Sequence, residues 1–389
     1  MPMIPPPLSL YVHIPWCVRK CPYCDFNSHE RGGALPVDAY VEALLADLDR
    51  DLREHAAAIG ARPLHSVFFG GGTPSLFAPQ AIARILDGVA ARITLPRDAE
   101  ITLETNPGTV EHGRFDEYLS AGVNRISFGV QSFDDDKLRR LGRIHSAAEA
   151  ERAVKLAQDS GLTNLNLDLM YALPEQTPDG AIADVEHAIA LRPAHVSHYQ
   201  LTLEPNTLFA AKPPPLPDED SAWDMQEACQ ARLAAAGYAQ YEVSAYAREG
   251  RACAHNLNYW RFGDYLGIGA GAHGKLGDAR ADSIVRTTKL KLPRSYLERA
   301  ARGEAFGGAN PVPAAERPFE FMLNALRLNV GVDADLFEAR TGLPLTAIAA
   351  PLERARRRGW LVDDDTRLQP TADGRRLLND LLQLFLGAT

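Results

Sequence analysis

The 389-residue sequence is short of several things, and each shortage excludes a class of protein. No apolar run reaches the roughly 20 residues that a bilayer-spanning helix needs, so the chain does not read as a spanning protein. Basic residues are outnumbered, 41 Lys and Arg against 50 Asp and Glu, for a net charge of -9. Nucleic-acid affinity rests on neutralising phosphates with cationic side chains, so this balance, with a pI near 5.7, argues against a nucleic-acid partner. The opening residues, MPMIPPPLSL, lack a charged stretch followed by an apolar core and do not read as a secretory signal. Cysteines number only five. An odd count in a long chain does not suit a disulfide framework and points to a reducing cytoplasm. No internal repeat appears, and no low-complexity tract beyond one run of prolines.

What is present is a regular alternation. Six β-like runs stand at Leu8–Ile14, Ser66–Gly70, Glu100–Glu104, Arg125–Gly129, Leu165–Met170 and His195–Leu201. Segments starting at Asp38, Pro79, Ala148 and Ala181 place apolar residues with helical periodicity between them. Strand then helix, repeated without hairpin signals, predicts an α/β fold on a parallel sheet. Periodicity alone allows an open doubly wound sheet or an incomplete barrel. Each run is followed by polar or glycine-rich residues: the cysteine loop, GGGTPS, TNPG, VQSF, Asp168 and TLEPNT. Ligands in parallel α/β folds collect at the carboxyl ends of strands, so one shared site at that rim is expected.

The alternation stops at AAKPPPLPDEDSA, residues Ala210–Ala222, whose four prolines favour a stiff connector. A helix, AWDMQEACQARLAAAG, then QYEVSAYA and CAHNLNYWRFGDYLGIGAGAHG follow. From Gly331 the order is helix, helix, a hairpin around WLVDDDTRLQ and a last helix, the order of a small winged-helix-like domain. DNA binding by it would rest on RARRRG, Arg354–Gly359. Yet Gly331–Thr389 holds eight Arg and no Lys against nine acidic residues, so a packing or docking role with a solvated arginine helix end is the better reading. The expected divisions are 1–209, the connector 210–222, an α+β extension 223–330, and 331–389.

The chemistry is concentrated in HIPWCVRKCPYCDFNSH, where Cys17, Cys21 and Cys24 fall within eight positions. A structural zinc site wants four ligands, usually in two pairs, and Cys229 and Cys253 lie alone and far away. A redox CPYC pair would leave Cys17 unexplained, with no thioredoxin-like context following. Buried apolar cysteines fit poorly in a loop that also carries Arg19, Lys20 and Asp25. A cubane of four irons suits three thiolates, because one iron is left open for another ligand.

The spacing CxxxCxxC strongly resembles the radical S-adenosylmethionine superfamily. The runs SLYVHIPWCVRKCPYCDFNSH, GGGTPS, ETNPGTV, GVNRISFGVQSF, LGRIH and NLDLMYALP resemble its coproporphyrinogen-oxidase-like branch over nearly the whole chain. That resemblance implies an incomplete (β/α)6 barrel followed by a C-terminal α+β region, a [4Fe-4S] cluster on Cys17, Cys21 and Cys24, and S-adenosylmethionine chelated at the open iron. It also implies cofactor contacts from Tyr11, Gly71, Gly72, Thr73, Glu104, Gln131, Arg143 and Asp168. Within the branch, oxygen-independent decarboxylases carry a further cysteine two places after the third, where this chain has Phe26, and more than the sixteen residues that here precede Cys17. The cluster segment and HNLNYWRFGDYLGIGAGAHG are instead similar to the heme-chaperone subgroup. Membership there implies heme as cargo and acceptor hemoproteins of the respiratory chain. It further implies a homodimer, a cytoplasmic location with peripheral membrane contact at most, and no coproporphyrinogen oxidase activity. His255, His273 and Cys253 are the heme-ligand candidates, since His and Cys both ligate heme iron.

Replacing Cys17, Cys21 or Cys24 by Ala should each abolish the cluster, whereas Cys229→Ala should leave it intact. Iron and labile sulfide in anaerobically reconstituted variants check this.

Overall fold

The computed structural model describes residues 3–109 and 115–387. Its centre is one twelve-stranded sheet. In chain order the strands are β1 (Leu8–Ile14), β2 (Leu64–Gly71), β3 (Glu100–Thr105), β4 (Arg125–Gln131), β5 (Leu165–Tyr171) and β6 (His195–Gln200). Then come β7 (Ala239–Glu242), β8 (Ala245–Ala247), β9 (Asp264–Ile268), β10 (His273–Asp278), β11 (Ser283–Lys289) and β12 (Phe306–Pro311). Spatially they run β12-β11-β10-β9-β1-β2-β3-β4-β5-β6-β8-β7. The six expected strands form the parallel middle, each found within two residues of its expected bounds.

These strands form because they are covered on both faces. Leu8, Leu10, Val12 and Ile14 of β1 are fully buried, and Ser9 between them is buried too. Such near-continuous burial is the mark of an interior parallel strand. The helices Val37–Glu54, Pro79–Ala90, Ala147–Asp159 and Pro178–Ala190 return the chain between strands. Their starts are written locally. Ser146 and Glu149 form a reciprocal capping box, and Thr177 caps a helix that opens with Pro178. Both devices satisfy amide groups that a first turn leaves unpaired.

Most strands after the proline connector join the same large sheet. β8 extends one edge of the large sheet antiparallel to β6, and β7 follows antiparallel to β8. β9 lies parallel to β1 on the other side, and β10, β11 and β12 continue from it as an antiparallel meander. β1 is therefore an interior strand, with the glycine motif of β2 on one side and the GDYLGIGAGAHG segment on the other. A buried ionic group fastens this arrangement. Lys289 Nζ at the end of β11 reaches Asp47 (2.6 Å) and Asp51 (2.7 Å) on the helix Val37–Glu54. Tyr296 donates to the other Asp47 oxygen at 2.9 Å.

A second apolar cluster gathers Phe262, Phe321, Phe337, Ile348, Leu352, Leu381 and Phe385, with Met3 from the amino-terminal segment. Around it lie the helices Arg317–Ala325, Asp335–Thr341 and Ala349–Arg357, a two-residue strand pair Val332–Asp333 with Arg367–Leu368, and the helix Leu378–Gln383. Within this region's arginine run, Arg357 pairs with Glu353 (3.0 Å) and Arg356 with Asp365 (2.6 Å). Arg358 lies 4.8 Å over the Trp360 ring. Those arginines are matched by their own surroundings, which suits a solvated helix end better than a phosphate track.

Candidate cluster and cofactor site

β1 delivers the chain to the site through Pro15, Trp16 and Cys17. The loop that follows is closed at its base by a short parallel pairing of Trp16–Cys17 with His29–Glu30, reinforced by His29 N–H to Pro15 O at 2.7 Å. Inside it the Cys24 amide donates to Cys21 O at 3.1 Å. Lys20 Nζ gathers the carbonyls of Phe26 (3.2 Å) and Ser28 (3.3 Å). All three thiols are half-buried and unpaired in disulfides. Burial raises the Cys17 thiol above its usual pKa, hydrogen bonds from Thr73 and Ser28 oppose that, and Cys24 and Cys21 add to it. Three thiolates this close repel, so a polycation is what the set lacks. Cationic help is already arranged: Arg143 donates to Cys21 Sγ at 3.7 Å, and its Nε is buried without a partner among the described residues. Those residues contain no trio of His, Cys, Asp or Glu closing on a single ion. The donor set is all-thiolate, and soft thiolate ligands suit iron–sulfur clusters.

The glycine motif holds this loop from beside it. Beyond the end of β2, Gly72 N–H donates to Ile14 O and Thr73 N–H to Trp16 O, each at 2.8 Å. A side chain on Gly72 would put a carbon 2.6 Å from Trp16 O, and one on Gly71 would come 2.5 Å from the His13 ring. Gly71 also has φ +113, a conformation that glycine adopts without strain. The motif is thus a close-approach seam between β2 and the start of the cysteine loop. His13 works from within: its Nε2 bonds Asn27 O at 2.9 Å and its Nδ1 bonds the Tyr11 hydroxyl at 2.9 Å. A carbonyl only accepts, so Nε2 carries the proton and Nδ1 receives the Tyr11 O–H. Burial lowers the His13 pKa, which keeps that neutral tautomer in place.

The other expected cofactor residues come together on neighbouring strands. Glu104, near the end of β3, accepts the Gly71 amide at 3.3 Å. Burial first, then the nearby Asp168 carboxylate, pushes its pKa up to about 8. Asp168 on β5 accepts from Asn166 (2.8 Å) and Ser127 (3.2 Å), and burial raises it as well. Two neighbouring carboxyls with little solvent around them hold ionisation poorly unless a cation arrives. Gln131 sits at a register break of β4 with φ +72, and its side-chain oxygen accepts from Tyr199 at 2.9 Å. Arg143 also donates to Gly129 O. A side chain on Gly129 would crowd both Gln131 (3.1 Å) and Arg143 (3.2 Å).

A cavity of about 660 Å³ opens beside these groups. Tyr11, His13, Cys24, Gly71 and Glu104 line it, as do Phe26, Asn27, Tyr259, Tyr265, His273 and Lys291. The three heme candidates are separated by it. His273 is exposed and faces the cavity. His255 is 1% exposed, and both its ring nitrogens are engaged, with Ser66 Oγ at 2.9 Å and Tyr259 OH at 3.0 Å. Cys253 is fully buried and donates to Glu100 at 3.4 Å. Glu100 also receives the amides of Ala254 and His255, so HNLNYW begins as a capped helix against β3. Sequence reasoning did not single out Asn27. Its amide reaches both Ala270 O and Lys291 O at 2.9 Å and ties the cysteine loop to the segment before β10.

A parallel α/β sheet with three free thiols beyond its first strand, a glycine seam beside them and half-buried carboxyls on the neighbouring strands defines a radical S-adenosylmethionine protein. The Radical SAM superfamily model matches residues 11–188, and the HemN C-terminal domain model matches 312–377. The chain is 53% identical to heme chaperone HemW of Haemophilus influenzae, covering 99% of each chain, and 53% identical to that of Escherichia coli, covering 98% of each. A bovine protein, radical S-adenosyl methionine domain-containing protein 1, mitochondrial, is 35% identical over 97% of this chain and 87% of its own. Among solved structures, the radical SAM coproporphyrinogen III oxidase of Escherichia coli superposes with a TM-score of 0.82 at 26% identity, over 99% of this chain and 91% of that one. The chain belongs to the HemW family within the radical SAM superfamily.

Glu104 supplies a direct test of the cofactor site. A positively charged ligand favours its ionised form, so binding below about pH 8 should expel a proton. S-adenosylmethionine affinity should rise from pH 6 to 8. Calorimetry of the reconstituted protein in buffers of different ionisation heat should register that release. Glu104→Gln should bind about ten- to a hundredfold more weakly, the range for losing a hydrogen bond to a charged group, and lose that share of the proton release. An unchanged release in the variant would contradict the assignment.

Proposed function

We propose that this protein is a heme chaperone. It binds heme beside a [4Fe-4S] cluster and S-adenosylmethionine, and delivers the heme to hemoproteins, those of the respiratory chain among them. The observation that carries the reading is the cavity's double wall. Its inner side is Tyr11, Gly71, Glu104 and Cys24, and its outer side is contributed by the HNLNYW and GAGAHG segments. Identity of 53% to two heme chaperones over essentially whole chains supports the same conclusion.

Cys17, Cys21 and Cys24 would hold the cluster and leave one iron open. Gly71, Gly72, Thr73 and Glu104 would receive the methionine end of the cofactor, and Gln131, Arg143, Asp168 and Tyr11 its remainder. When bound, the pair supplies an electron-transfer centre able to cleave the sulfonium bond. The chain's own contribution is to hold Glu104 and Asp168 together as a counter-charge, to fix the His13 tautomer, and to set Arg143 against Cys21. We also place the protein in the cytoplasm, as a homodimer, with a docking role for residues from about 331 onward. No helix of the described residues is long and apolar enough to cross a membrane.

Coproporphyrinogen III decarboxylation is the competing activity, favoured by the structural likeness to the oxidase. Phe26 stands against it. That residue occupies the place where decarboxylases of the branch carry a further cysteine, and here it is 62% exposed on the loop.

Reconstituted protein loaded with heme should pass it to an apo-hemoprotein, seen as the acceptor's Soret band, and should yield no protoporphyrinogen from coproporphyrinogen under reducing anaerobic conditions. Decarboxylation without heme transfer would reverse the assignment.

A further inference from the structure

We infer that the heme seat is the outer rim of the cavity, with His273 as the axial ligand and Lys291 as the partner of a propionate, and not the buried histidine of HNLNYW. This seat rests on the heme-chaperone reading above. Heme is a flat apolar ring carrying two carboxylates and an iron that takes a ligand above the ring plane. A seat for it needs an accessible imidazole, apolar surface and a cation, brought to one place.

The rim offers those three things from three separated segments. His273 opens β10 and is exposed, and no described residue hydrogen-bonds either of its ring nitrogens. Lys291 follows β11, is exposed, and lines the same cavity as His273; burial first, then the Lys291 and Arg286 charges, lower the His273 imidazole pKa. No described residue pairs with its ammonium. Phe26, which lines the cavity, and Leu292, the residue after Lys291, are 62% and 61% exposed and supply apolar surface there. Asn27 makes this a constructed neighbourhood. Its one amide clamps Ala270 O and Lys291 O, so Phe26, the approach to His273 and the Lys291–Leu292 pair are held side by side. A side chain on Gly271 would come 2.2 Å from the Asn27 amide, so that position is kept bare for the clamp.

The remaining imidazoles of the site are either bonded at both nitrogens or, in His29, have the unpartnered nitrogen enclosed. Both nitrogens of His13 are bonded, and both nitrogens of His255 as well. The unpartnered Nε2 of His29 is buried. His255 also lies 5.0 Å from the Phe68 ring and 4.7 Å from that of Tyr259, centre to centre, as a core side chain does. Freeing it to bind iron would break its bonds to Tyr259 and to Ser66, the latter also bonded to Ser9.

The test is titration of the reconstituted, cluster-containing protein with ferric heme, read by Soret absorption and resonance Raman. Wild type should show an imidazole-ligated heme. His273→Ala should lose the imidazole signature and bind at least tenfold more weakly. Lys291→Glu and Phe26→Asp should each weaken binding by about tenfold, and His255→Gln, with native circular dichroism, should keep the wild-type spectrum. A His273→Ala protein with the wild-type spectrum and affinity would overturn the seat. So would a natively folded His255→Gln protein that has lost the imidazole signature. If wild type itself takes up no heme, the chaperone reading fails, and the seat with it.

Discussion

Everything at this site depends on how closely β2 approaches the chain leaving β1. Two amides, from Gly72 and Thr73, fasten the carbonyls of Ile14 and Trp16. The approach is possible only because Gly71 and Gly72 carry no side chains against His13 and Trp16. That seam fixes the first residue of the cysteine loop, and the pairing of Trp16–Cys17 with His29–Glu30 fixes its last. Between those anchors the thiols are held by short local bonds, from Lys20 to the loop carbonyls and from Cys24 to Cys21. A loop so fixed presents its sulfurs without the large ordering cost a free segment would carry.

Charge gives the site its second constraint. Glu104 and Asp168 are half-buried near each other, and both are pushed toward the neutral form. On the other side, the half-buried Arg143 faces Cys21. Carboxyls that resist ionisation until a cation enters, beside thiolates that want iron, describe a cavity whose electrostatics are completed by its ligands. The buried Lys289, Asp47 and Asp51 group plays a different part. It sits behind β1 and fastens the meander that carries His273 to the first helix of the chain.

Much of this was legible in the sequence. The six central strands were visible as short runs whose apolar residues recur at every second position, Leu8, Leu10, Val12 and Ile14 in LSLYVHI and Leu165, Leu167 and Leu169 in LNLDLM. The cysteine spacing, the glycine run and the strand-end carboxylates were visible as types at positions. β9 was not, because DYLGI begins with Asp264, a fully buried carboxylate held by Arg62 and Lys275, and so does not look like an interior strand. Asn27 was not, because its function is made by carbonyls more than 240 residues away. His255 and His273 could not be told apart by type. Only burial and bonding separate a histidine that finishes a core from one that faces a cavity.

The central claim is that three thiolates on this loop hold a cluster with one iron left for S-adenosylmethionine. Mössbauer spectroscopy of the anaerobically reconstituted protein, with and without that molecule, addresses it most directly. A single iron of the cluster should change its isomer shift on addition, while the other three stay as they were. A spectrum in which every iron is unaffected would contradict the account.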